Sequence, residues 1–160
     1  MTQAVFSHVP QRIVSGGQTG VDRGALDAAI ALGIPHGGWC PRGRLSEDGQ
    51  IPARYDLTEH ASPRYKDRTL QNVLDSDATL ILYCDTLRGG TRLTQRYAVD
   101  AGKPQLAVAI DDEWSVESLH RWLYQYQPLT LNIAGPRESN FPGVQVLSCE
   151  AVLRIFASSH

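Results

Sequence analysis

The chain of 160 residues has almost no net charge, few cysteines and no long apolar run, and each shortage excludes something. Its 15 basic and 17 acidic side chains leave a formal charge of −2, too weak a global field to recruit nucleic acid or an anionic membrane. Cys40, Cys84 and Cys149 are odd in number, far apart and without a CxxC pair. That pattern argues against a disulfide framework or zinc knuckle and for the reduced thiols of a cytoplasmic protein. No apolar stretch approaches the roughly 20 residues of a membrane helix, and no basic segment leads into an apolar core as in a secretory signal. His8, His36, His60, His120 and His160 fall at no metal-ligand spacing, so no protein-ligated metal is expected. Low-complexity tracts and charge runs are also missing. The length is most simply one domain over residues 1–160.

What is present centres on Ser15-Gly16-Gly17-Gln18-Thr19-Gly20-Val21-Asp22-Arg23-Gly24. Residues 1–10 form a lead-in. Ile13 and Val14 suit a buried strand, and the paired glycines allow a turn that side chains would forbid. From Val21, the apolar Ala25, Ala28, Ala29 and Leu32 recur at spacings of three and four, predicting a helix that Gly33 ends. A helix opening after a glycine turn presents free N–H groups and the positive end of its dipole, an arrangement that favours a phosphate. The segment is neither the dinucleotide fingerprint nor a P-loop, because the lysine and the spacing are missing. A plain capping box, with Thr19 as cap and Asp22 closing it, accounts for the same residues without any ligand.

Further along, Ile34–Trp39 predicts a second strand, and Cys40–Asp56 a loop without periodicity, of a length that compact domains rarely keep unless it covers a site or is disordered. Its Arg42, Arg44 and Arg54 could reach over a bound anion. Arg64–Ser76 predicts a helix with Thr69, Val73 and Leu74 inward, followed by the unbroken apolar run Ala78–Tyr83, a strand buried on both faces. Arg88-Gly89-Gly90-Thr91 is a second glycine turn, opening a helix to Ala101. Gln105–Ile110 predicts another buried strand. Ser115 caps a helix with Val116, Leu119, Leu123 and Tyr126 on one face, and Trp114, Trp122 and Tyr124 read as packing residues. Leu129–Ala134 gives a last strand, and the Gly135–Gly143 turn leads into a final helix to Ala157. Strands alternating with helices imply an α/β, Rossmann-like doubly wound fold, with a mainly parallel sheet and helices on both faces. Two glycine turns at strand ends can face one ligand across a switch-point crevice. Sheets of this size often dimerise, which leaves a homo-oligomer open.

The assembled segments resemble the molybdenum carrier family, the circularly permuted YpsA-like branch of the SLOG superfamily. The resemblance rests on Ser15–Asp27, on Gly38–Arg44 with Glu47-Asp48-Gly49 and Ile51-Pro52, on Arg68-Thr69 with Asn72-Val73 and Asp75–Thr79, on Gly89–Thr91 and on Gly135–Ser139. It implies a site for a small phosphate-bearing ligand, nucleotide-like or pterin, with molybdenum cofactor (molybdopterin) as the named candidate. On the residues of this chain the candidate site comprises Gly16, Gly17, Gln18, Thr19, Gly20, Asp22 and Arg23 in the first turn. The second turn adds Arg88, Gly89, Gly90 and Thr91, and the third Arg137, Glu138 and Ser139. Amides and hydroxyls would cradle phosphate, Arg88 and Arg137 would neutralise it, and Asp22 and Glu138 would accept hydrogen bonds from a ribose or pterin. Related phosphoribohydrolases carry a catalytic glutamate in the second turn, where this chain has Thr94 or Gln95. A non-catalytic carrier is therefore expected, the alternatives being a nucleotide hydrolase using Asp22 or Glu138, or a nucleotide-sensing module.

Overall fold

A computed structural model describes residues 8–157; most of the expected lead-in, and His160, lie outside them. The elements run β1 (Arg12–Val14), α1 (Val21–Leu32), β2 (His36–Gly37), β3 (Trp39–Cys40), β4 (Leu45–Ser46), β5 (Gly49–Gln50), β6 (Thr58–Glu59), α2 (Tyr65–Leu74), β7 (Ala78–Tyr83), α3 (Gly89–Asp100), β8 (Gln105–Ala109), α4 (Val116–Tyr126), β9 (Thr130–Ala134) and α5 (Val144–Ala157). The central sheet is parallel throughout, in the order β2-β1-β9-β7-β8. This is an α/β, Rossmann-like fold.

Alternation along the strands divides the interior. Ile13, Leu80, Leu82, Leu131 and Ile133 project into the main core, with Ala25, Ala29, Leu123, Val152 and Ile155 from the helices α1, α4 and α5. The intervening residues Thr79 and Asn132, paired in register on β7 and β9, are buried on the other face, toward α2 and α3. Two polar side chains at a sheet centre need partners; here Asn132 Nδ2 donates to Thr79 Oγ1 at 3.3 Å.

Several expectations need correcting. The second strand is broken at Gly38, whose φ of 123° kinks the chain so that β3 leaves β2 and pairs with β6. The 40–56 loop is not structureless: β4 and β5 form a small hairpin, and Ile51 and Tyr55 join Leu26 and Cys40 in a second core. Two of its three arginines are held by protein partners. Arg44 donates to the carbonyls of Pro52 and Tyr55, both at 2.8 Å, Arg54 pairs with Asp27 and Tyr55, and Arg42 is exposed. On α2, Val73 is buried but Leu74 is exposed. β8 is only half-buried, because it is an edge strand. Trp114 and Trp122 pack on the core, whereas Tyr124 and Tyr126 are exposed. Ser115 does cap α4, accepting from Ser118 N at 3.1 Å.

Candidate functional site

The carboxyl ends of β1, β9 and β7 are neighbours, so the turns that follow them meet at one end of the sheet. From here β1 leads outward through α1 to β2, and β7 outward through α3 to β8, which makes this end the topological switch point. A cleft opens there. It is lined by Gly16, Gln18 and Asp22, by Arg88, Gly90 and Thr91, by Pro136 and Arg137, and by Tyr65, Arg68 and Asn72 from α2.

At its base the Gln18 amide is fixed in orientation, because Oε1 accepts the Thr19 N–H at 3.1 Å and the Glu47 N–H at 2.9 Å. Its Nε2 is buried and has no partner, and the same is true of Arg68 Nε. Arg68 otherwise donates from Nη1 to Thr69 Oγ1 at 2.5 Å and faces Asp22, with 3.8 Å between Nη2 and Oδ2. Asp22 Oδ2 accepts from Gln18 N at 3.2 Å. Burial pushes the Asp22 carboxyl above its ordinary range, and the Arg68 charge only partly opposes this. Gly16 makes the arrangement possible: a Cβ there would lie 2.7 Å from Arg68 Nε and Cζ.

Several predicted residues instead build the wall behind the cleft. Gly20, at φ 84°, is the N-cap of α1, and no side chain caps it, so the Thr19–Asp22 capping box does not form. Thr19 Oγ1 donates to Glu47 and accepts the Glu138 N–H at 3.1 Å. The Gln18, Thr19 and Val21 amides bond to Asp22, Gln18 and Pro136. Arg23 clamps Asp48 with Nη1 and Nη2 and holds Gly17 O with Nε. Glu47 also accepts from Ser139 N and Oγ. Its burial raises the carboxyl, but the bonds from Ser139 and Thr19 outweigh that, and the net shift is downward. Glu138 accepts from Gly143 N at 2.6 Å and Gln145 N at 2.9 Å at the start of α5. Its carboxylate therefore faces away from the cleft.

The mouth is cationic and more open. Arg88 is exposed, with Nη2 3.2 Å from Asp85 Oδ2. Arg137 lies 5.5 Å from the Tyr65 ring centre and Arg68 5.6 Å, so two guanidinium groups approach one aromatic ring. Gly89 and Gly90 have open space around them. Thr94 Oγ1 is spent on Gly90 O and Gln95 Nε2 on Gln105 Oε1. Cys84 also lines the cleft, but burial, with Asp111 nearby, raises its thiol to about 11, so it stays protonated near neutrality.

The fold and the cleft together define a Rossmann-like domain with a polar, donor-rich crevice at its switch point. Residues 13–156 match the circularly permutated YpsA SLOG family, and the chain belongs to that family. It is also similar to a crystal structure of a putative molybdenum carrier protein from Syntrophus aciditrophicus SB, with 42% identity over 92% of this chain and 94% of the other and a TM-score of 0.86. No curated protein matches it.

Arg68, Asn72, Glu47 and Asp48 escape residue-by-residue reasoning as site builders. Arg68 sits on an amphipathic helix, where an arginine ordinarily faces solvent, and only the motif it shares with Thr69 marks it. Asn72 pairs with both the N–H and the carbonyl of Trp39, at 2.8 and 3.0 Å, as a third strand would.

Proposed function

We propose that the cleft binds a small phosphate-bearing ligand, nucleotide-like or pterin, and that the protein is a carrier for which molybdenum cofactor is the leading candidate. The observation that carries this reading is the pair of buried donors without partners, Gln18 Nε2 and Arg68 Nε, in side chains that line one cleft. A buried unpartnered donor costs about 1–3 kcal/mol, a cost that a bound acceptor removes after a small side-chain rotation. In this reading Arg88, Arg137 and Thr91 take the phosphate at the mouth, and Asp22 accepts from the ring or sugar beneath. Molybdenum cofactor would bring redox chemistry when bound. Among the described residues no group of three or more His, Cys, Asp or Glu could hold a metal, so the metal would stay with the pterin. The similarity to the Syntrophus protein supports the same choice.

A single domain working in the cytoplasm suits this role. Hydrolysis is less well supported: Glu138 caps α5, Thr94 and Gln95 carry no carboxylate, and Asp22 is the one acid of the two candidates left in the cleft. The test is native purification followed by unfolding, mass spectrometry of the released small molecule and a molybdenum assay on the same sample. A pterin with stoichiometric molybdenum supports the carrier. A nucleotide without the metal moves the assignment to a nucleotide binder, and turnover of that nucleotide would make it an enzyme.

A further inference from the structure

The base of the cleft differs chemically from its mouth. Gln18, Asp22 and Arg68 are 6%, 5% and 8% exposed. Gln18 and Arg68 bring donors without partners. Asp22 brings an acceptor; the Gln18 N–H and the Ser15 side chain take part of a carboxylate's roughly four acceptor positions. The Asp22 and Arg68 charges offset each other across 3.8 Å. A phosphate offers acceptors only and would set its charge against Asp22, so it belongs at the mouth. What suits the base is a neutral edge carrying donors and acceptors side by side. A sugar diol has both, but Tyr83 and Phe141 also line the cleft, and their aromatic character suits a flat ligand.

We propose that the base reads the lactam–amine edge of a 2-amino-4-oxo pyrimidine ring, the edge shared by guanine and pterins. Asp22 accepts from the ring N–H and the exocyclic amine, while Gln18 Nε2 and Arg68 donate to the ring carbonyl. Adenine reverses this pattern at two positions and xanthine at one. The inference rests on the proposed ligand reading only for placing the phosphate at the mouth.

The test is calorimetric titration of the full chain with GMP, XMP, AMP and 6-hydroxymethylpterin monophosphate, and separately with guanosine, adenosine and ribose 5-phosphate. GMP or the pterin phosphate should bind at least about tenfold tighter than AMP and XMP, because a site built to hydrogen-bond one edge rejects its mismatch strongly. Whichever of the two is tighter names the source of the ring. Asp22→Asn should reverse the preference between GMP and XMP, since the amide N–H meets the second xanthine carbonyl. Equal affinity for GMP, AMP and the pterin phosphate in the unmodified protein overturns the inference without recourse to the variant. Binding of ribose 5-phosphate as tight as GMP also overturns it while leaving the phosphate reading intact. Guanosine preferred over adenosine, with no binding of ribose 5-phosphate, upholds the ring inference and removes the phosphate reading. An empty panel removes both.

Discussion

The Arg23 guanidinium holds the Asp48 carboxylate with both terminal nitrogens, at 2.7 and 2.9 Å, while its Nε donates to Gly17 O at 3.0 Å. One side chain on α1 thus ties the first glycine turn to the 40–56 loop. Bidentate geometry of this kind is the stronger form of ion pair. Hydrogen bonds from Arg23 and Ser46 hold the Asp48 carboxyl down at about 2.

The sign of the resulting pH dependence is fixed. A carboxyl depressed in the folded state contributes stability that is present above its unfolded value of 3.8 and is lost as pH falls toward about 2. Glu47, depressed from 4.5, acts in the same direction. Urea midpoints of the unmodified protein should therefore fall between about pH 4.5 and pH 2. Asp48→Asn should flatten that fall and lower the melting temperature near neutrality by about 3 °C. A variant with the same acid slope as the parent would show that the clamp is not formed in solution.

Gly16→Ala and Gly90→Ala should separate. A Cβ at Gly16 meets the Arg68 guanidinium at 2.7 Å, the far end of a flexible side chain, whereas a Cβ at Gly90 meets nothing within 4 Å. The first substitution should leave the fold in place and weaken binding of the proposed phosphate-bearing ligand about tenfold by displacing Arg68. The second should raise stability by about 0.5–1 kcal/mol through helix propensity. Calorimetric affinity and thermal melts of the two variants provide the check.

Gly17 behaves differently from its neighbour. Its φ is 81°, and a Cβ would lie 2.6 Å from Leu57 Cδ1 and 2.9 Å from Ile51 Cδ1. Gly17→Val should cost about 2–3 kcal/mol, from left-handed backbone strain and overpacking together. A loss of ligand binding in that variant would thus reflect unfolding of the loop. Hydrogen exchange of the 51–57 amides would detect it directly.

Glu138→Gln tests whether this carboxylate serves the helix or the ligand. It accepts the Gly143 and Gln145 N–H groups at 2.6 and 2.9 Å, so the amide should weaken the α5 start by about 1 kcal/mol. Affinity for the proposed phosphate-bearing ligand should not change. A large drop in affinity at unchanged stability would return Glu138 to the site.

The strand–turn–helix order was legible because each strand is a short apolar run and each helix has clear periodicity, down to the left-handed Gly33 that closes α1. Edge position was not legible: Gln105–Ala109 is as apolar as a central strand, and only the sheet order leaves it half-covered. The three turns were visible as glycine clusters, but the division of labour within them was not. Thr19, Glu138 and Ser139 look like ligand contacts on composition. Their actual partners are Glu47 and the start of α5, and Glu47 lies 28 residues from Thr19 and 92 from Ser139. Partners so distant in sequence leave no local signature. Arg68 shows the converse, since its burial depends on Gly16 across the fold.

The two sides of the cleft differ in how much change they can absorb. A Cβ on Gly20 would meet Pro136 O at 2.4 Å, so the first and third turns are pressed together backbone to backbone, and a Cβ on Gly135 would meet Leu82 O of β7 at 2.1 Å. Any side chain at those positions is a folding mutation before it is a binding mutation. Across the cleft, the exposed Thr86, Arg88 and Gly90 line the same space, and Gly90 has room on every side. Substitutions there alter what a ligand meets and leave the core untouched. The β7–α3 turn is therefore the part of the crevice with room to change its chemistry, while the tightly packed opposite wall sets the crevice's shape.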